Sequence, residues 1–181
     1  FAVLQSSIHE VWARLFGSSL GDQLRYTPTT CFENFPFPAL SEELEITGRE
    51  FSEFRNAMQA SMNLGPTAML NVVHDPNNHS TSVVEYRNKI RTLDEAVLGA
   101  YGARAIPLEY EFIGDFMDDN VPGEVRYTFA EATKEAVLSM LFSLHADLLK
   151  AEQSSPLAAG KAAMKAKKPK KSKDSSGPEL F

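Results

Sequence analysis

The chain has 181 residues, 43% of them hydrophobic and 23% charged, with a formal net charge of −6. That allows one domain of ordinary size with a real core, and the single cysteine, Cys31, excludes an internal disulfide and a multi-cysteine zinc site. The charge is uneven: residues 1–151 carry 11 Lys/Arg against 21 Asp/Glu, whereas residues 152–181 carry 7 Lys against 3 acids. An acidic body argues against a protein that coats DNA with positive charge, and leaves open a single DNA-facing surface.

The apolar start Phe1–Leu4 is too short to span a bilayer and lacks the basic residues of a signal peptide, so no membrane association is expected. Its position inside an apolar pattern leads us to expect a piece of a longer protein. Residues 1–16 read as one amphipathic helix, with Val3 or Leu4, Ile8, Val11 or Trp12, and Leu15 on one stripe. His9 on that helix reads as a hydrogen-bonded structural residue. Gly17-Ser18-Ser19 ends the helix and Gly21-Asp22 signals a turn. Residues 24–38 then gather aromatics, β-formers and two prolines; we expect strand from Leu24 to Thr27 and again near Cys31 to Phe35. Cys31, with no adjacent base, reads as a buried small hydrophobe.

Residues 40–63 carry the clearest helix signal, with Leu40, Leu44, Thr47, Phe51, Phe54, Met58 and Met62 on one stripe and Ser41 as the cap. Gly48 is a weak point in it if exposed. Residues 67–72 predict one or two helical turns, and Asp75-Pro76-Asn77-Asn78 a turn. A second long helix is expected from Thr81 to Tyr101, antiparallel to the first. Residues 105–127 are irregular, with strand-like alternation at 108–113. Asp115, Asp118 and Asp119 lack the spacing of a calcium loop and read as solvated. A last helix is expected over 129–150, with Thr133, Val137, Met140 or Leu141, Leu144 and Leu148 inward. The Lys-rich 152–181 segment has too little apolar bulk to order and reads as disordered. The fold class is therefore mainly α: a helical bundle with a short extended segment near the N-terminus and a basic tail, divided as 1–39, 40–151 and 152–181.

No Gly-rich phosphate turn, zinc-ligand spacing or nucleophile elbow is present, so this chain by itself is not read as an enzyme. Asn34-Phe35-Pro36-Phe37 is similar to the Asn-Pro-Pro-Phe/Tyr signature of amino-group DNA methyltransferases. Phe35 stands where the first proline belongs, so the structural reading, aromatic docking before a turn, is preferred.

Three blocks carry a wider resemblance: Ser6–Arg14, Leu24–Pro28 and Cys31–Pro38. With Asn71–Pro76 and Ile90–Gly102, they resemble the end of the target-recognition region and the helical C-terminal domain of adenine-specific DNA methyltransferases. These are the fused restriction–modification enzymes of the Type IIG and MmeI-like kind, which act in bacterial defence. The resemblance covers roughly residues 3–150 and departs after Gly102, where Ala103 replaces a usual Trp. It implies a non-catalytic DNA-specificity and scaffolding segment in the cytoplasm. Its partners would be double-stranded DNA and an upstream methyltransferase domain of the same protein. The S-adenosylmethionine cofactor belongs to that upstream domain; none is expected in this chain. Whether the parent also cuts DNA stays open, as does a rival reading, a helical protein–protein interaction module.

Within that resemblance, Arg14, Arg25 and Thr27 are the candidate DNA contacts. Arg14 and Arg25 are the only cations in the first 48 residues, and strand alternation puts Arg25 and Thr27 on one face. Arg25 can contact phosphate or a guanine edge, or form a salt bridge to Asp22, Glu10 or another part of the protein.

Overall fold

The first apolar run folds as two helices, not one. In the computed structural model, which describes residues 1–20, 23–114 and 125–154, α1 (Ala2–Gln5) and α2 (Ser7–Phe16) are separated at Ser6, which is extended. The break satisfies polar groups at the new helix start. The Ser6 hydroxyl accepts the His9 N–H at 3.3 Å and donates to the Val3 carbonyl at 2.6 Å. Val3, Ile8, Val11 and Trp12 are buried as expected, whereas Leu4 and Leu15 are exposed.

The stretch after α2 departs from its predicted form. Ser18–Leu20 (β1) pairs antiparallel with Gln23–Arg25 (β2), setting Ser18 opposite Arg25. The second expected strand, Cys31 to Phe35, does not form. Pro28–Phe32 instead makes a single π-helical turn, with Thr27 before it and Pro28 at its start. Proline lacks an N–H and has φ preset for a helical turn, so it favours this over a strand. The Thr27 carbonyl accepts the Thr30 and Cys31 N–H groups, and the Thr30 hydroxyl donates to the Phe16 carbonyl at 3.0 Å. The β-forming residues Thr29–Phe32 thus find their partners in a turn.

α3 (Glu42–Met62) follows, capped by Ser41, whose hydroxyl accepts the Leu44 N–H at 3.2 Å. Leu44, Phe51 and Met58 are buried on the predicted stripe. Leu40 lies before the helix and is 96% exposed, contrary to its placement on that stripe. Asn63, at φ 51°, ends the helix in the left-handed conformation. Gly48 is buried, and a Cβ there would meet the Ala2 Cβ at 2.8 Å. Its glycine lets α1 cross α3 closely.

α4 (Pro66–His74) is longer than the one or two turns expected. α5 (Thr81–Ala100) runs antiparallel to α3, since Glu43 meets Arg104, Glu50 meets Lys89 and Phe51 meets Tyr86. The irregular region yields a second hairpin: β3 (Tyr110–Gly114) pairs antiparallel with β4 (Val125–Phe129), Tyr110 opposite Phe129. α6 (Glu131–Gln153) buries Thr133, Val137 and Leu141. Leu148, expected inward, is 49% exposed.

The chain is mainly α-helical. It divides into two units, Phe1–His145 and Ala146–Phe181. The first holds a single core in which Trp12 and Phe35 join Phe51, Met69, Leu93, Phe129 and Leu141. The second contains the end of α6, with Lys150 paired to Asp147 at 3.1 Å. Asp115, Asp118, Asp119 and the Lys-rich tail beyond Ser154 lie outside the described residues. Among the described residues no helix is long and apolar enough to cross a membrane.

Candidate nucleic-acid interface

The three blocks of the N-terminal resemblance converge on α2. Trp12 and Phe35 meet edge to face at 5.8 Å and are 1% and 4% exposed. His9 packs on Phe35 at 4.7 Å, and its Nε2 lies 3.0 Å from the Tyr26 hydroxyl. Cys31 is buried, its thiol directed at the Ala13 carbonyl at 3.7 Å. Burial pushes the His9 imidazole down to about 4, so it is a neutral hydrogen-bonding ring at physiological pH. Both His9 and Cys31 are structural here, as expected.

Tyr26 thus reaches inward to α2. Arg25, the last residue of β2, is exposed. The three candidate contacts are not equivalent. Arg14 is matched on its own helix by Glu10, Nε to Oε1 at 2.8 Å. Thr27 is half-buried and its carbonyl accepts the Thr30 and Cys31 N–H groups where the π-turn begins. Arg25 forms no ion pair or hydrogen bond with a described side chain. Among the described Arg and Lys residues, only the side chains of Arg25 and of Arg49, on α3, which sequence reasoning did not single out, lack both an ion pair and a hydrogen bond to any described side chain or carbonyl. The others are committed within the fold.

In the methyltransferase-like tetrad Asn34–Phe37, Asn34 is exposed, whereas Phe35 and Pro36 are committed to the fold. In that motif a prolyl carbonyl is free to hold the target amine. Here the Pro36 carbonyl accepts the Tyr101 hydroxyl at 2.8 Å, and Phe35 is in the core.

Two buried charges on α5 escaped the sequence reading. Asp94 is fully buried; it accepts the Ser7 N–H at 2.8 Å and the Tyr110 hydroxyl at 2.7 Å. It thereby caps α2 from another helix and ties α2, α5 and β3 together. Burial pushes its carboxyl up to about 7, against the opposing pull of those two hydrogen bonds. Arg87 donates to the Val73, Asp75 and Asn78 carbonyls and sits over the Phe112 ring at 4.8 Å. It closes the end of α4 and the loop that follows. A sequence signal existed: Val83, Arg87, Ile90, Asp94, Val97 and Tyr101 follow a 4-3-4-3-4 spacing, so both charges occupy core-facing positions.

An open depression of about 390 Å³ lies between α5 and residues 104–108, and Arg91 and Arg104 line it. Both guanidinium groups are engaged, Arg91 with the Leu108 carbonyl and Arg104 with both Glu43 oxygens. It offers no free cation to an anionic ligand. Among the described residues no cluster of His, Cys, Asp and Glu is placed to hold a metal ion. The chain matches no family model, no curated protein and no solved structure.

Proposed function

We propose that this chain is a non-catalytic DNA-specificity and scaffolding segment of an S-adenosylmethionine-dependent adenine-N6 DNA methyltransferase of the restriction–modification type. Such an enzyme works in the cytoplasm. The observation that carries the reading is the convergence of Ser6–Arg14, Leu24–Pro28 and Cys31–Pro38 into one packed unit that carries an exposed, unpaired arginine. The resemblance rests on those blocks, and their mutual packing gives a physical reason for them to occur together. In this reading α2 and the aromatic stretch form a rigid base. The β1–β2 hairpin presents Arg25 to the duplex, and an upstream domain supplies cofactor and chemistry.

The chain alone is then expected to bind duplex DNA weakly and not to bind S-adenosylmethionine. Calorimetric titration with the cofactor should give no heat of binding, and methyl transfer to duplex DNA should be absent. A micromolar cofactor site would overturn the reading.

One observation favours the rival, a helical protein-interaction module. Most described cations are held by ion pairs or hydrogen bonds within the fold, which leaves few free to contact a polyanion. Binding of duplex DNA by the full chain separates the two readings. Its absence at low salt favours the rival.

A further inference from the structure

We propose that Phe32, Phe37 and Leu40 form a preorganised apolar ledge for a protein segment that carries lysine or arginine beside apolar side chains. Isolated exposed apolar residues are ordinary, but Phe32 and Phe37 are in ring contact and Leu40 lies three residues beyond. Phe32, Phe37 and Leu40 are 43%, 44% and 96% exposed. The Phe32 and Phe37 rings meet at 5.1 Å, and Phe37 rests on the buried Phe35 at 4.9 Å. Leu40 follows three residues later, on the approach to α3.

The ledge is held rigidly from beneath. Phe35 is packed on Trp12, and the Tyr101 hydroxyl holds the Pro36 carbonyl. Pro36 and Pro38 restrict the backbone on either side of Phe37, and the π-turn closes before Phe35. A surface ordered in advance loses little entropy on binding.

The rim selects the partner's charge. Between Arg25 and Arg49 the chain carries Glu33, Glu42, Glu43 and Glu45 and no cation. Arg104 neutralises Glu43, but Glu33, Glu42 and Glu45 are exposed and form no ion pair with a described residue. The start of α3 accommodates Glu42 and Glu45 through the helix dipole. Glu33, at the end of the π-turn, has no such support. Aromatic rings can stack on nucleobases, but the three unpaired carboxylates repel phosphate. A basic, apolar polypeptide fits both the rings and the rim. This surface is separate from the argument for Arg25 and stands whether or not the chain binds DNA.

The test uses the full chain and three fluorescent probes: a peptide alternating lysine and leucine, the same peptide with glutamate for lysine, and oligothymidine. Only the lysine–leucine peptide is expected to bind. Its affinity should fall at least tenfold in Leu40→Ser, which leaves the core untouched. It should fall similarly in Glu33→Gln/Glu42→Gln/Glu45→Gln, and stay unchanged in the control Glu53→Gln/Glu85→Gln/Glu135→Gln. Equal losses in the two triple variants would show attraction to the acidic body as a whole and overturn the proposal. So would an unaffected Leu40→Ser, absence of binding, or equal binding of the glutamate peptide. Oligothymidine binding that Leu40→Ser abolishes would assign the ledge to nucleic acid instead.

Discussion

Replacing Asp94 with alanine is expected to destabilise the fold by about 2–5 kcal/mol at pH 5. The change leaves the Ser7 N–H and the Tyr110 hydroxyl without their buried acceptor, and each orphaned group costs about 1–3 kcal/mol. Denaturant unfolding at fixed pH measures this. A cost under 1 kcal/mol would mean that α2 does not depend on its cap from α5. Asp94→Asn asks a second question. The folded carboxyl titrates at about 7 against an unfolded value near 3.9, so between those limits the folded state keeps a proton that the unfolded state has released. The contribution of Asp94 to stability is therefore largest in acid and falls as pH rises from about 4 to about 7, by up to roughly 4 kcal/mol. His9 works the other way. Its folded value of about 4 lies below the usual 6.5, so its contribution is present above about 6.5 and is lost as pH falls through that range. The two slopes oppose each other in the wild type. The difference between Asp94→Asn and wild type removes the His9 part. It should shift in favour of the asparagine variant by about 1.4 kcal/mol per pH unit between pH 4 and 7, and then level off. A difference independent of pH would show that Asp94 is ionised in the fold throughout.

Trp12→Ala is expected to cost about 3–5 kcal/mol. The indole is 1% exposed and meets Phe16 at 4.4 Å, Phe142 at 5.7 Å and Phe35 at 5.8 Å. Its loss opens a cavity where α2, the aromatic stretch and α6 meet. The melting point should fall by about 10 °C, at a few degrees per kcal/mol for a chain of this size. Trp12→Phe should recover much of this, because the indole Nε1–H has no acceptor among the described residues. An unchanged melting point in Trp12→Ala, with DNA binding lost, would move Trp12 from the core to the DNA surface.

The helices were legible because burial there is periodic. The α3 stripe and its Ser41 cap needed only spacing and side-chain type. The antiparallel α3–α5 pair followed from matching lengths and a short return. The hairpins were harder. Gly17-Ser18-Ser19 reads as a helix stop, and nothing local says that Ser18–Leu20 then pairs with Gln23–Arg25. Val125, Tyr127 and Phe129 do alternate, but five residues beside an irregular stretch are a weak signal until the Tyr110 strand supplies a partner. The turn at Pro28–Phe32 opposed the propensity of its residues, because Pro28 and the Thr30–Phe16 hydrogen bond decide it. Asp94 and Arg87 were hidden for a different reason. Charged residues on a core stripe look like breaks in the pattern, and their partners lie far away in sequence. At the candidate interface, sequence and strand alternation singled out Arg25. The neutralisation of Arg14 by Glu10, an ordinary i to i+4 pair, is legible in the sequence as well.

The reading as a DNA-specificity segment is tested most directly by the salt dependence of duplex binding in Arg25→Ala. Binding of wild type, Arg25→Ala and Arg14→Ala to one duplex is measured across salt concentrations, so that any contribution from the lysine-rich tail cancels. If Arg25 contacts a phosphate, its loss weakens binding to all sequences and reduces the logarithmic salt slope by about one. Arg14→Ala should change the slope less, and neither variant should lower the melting point appreciably. A salt slope and affinity unchanged in Arg25→Ala would remove Arg25 from the DNA surface and, with it, the main support for the proposed function.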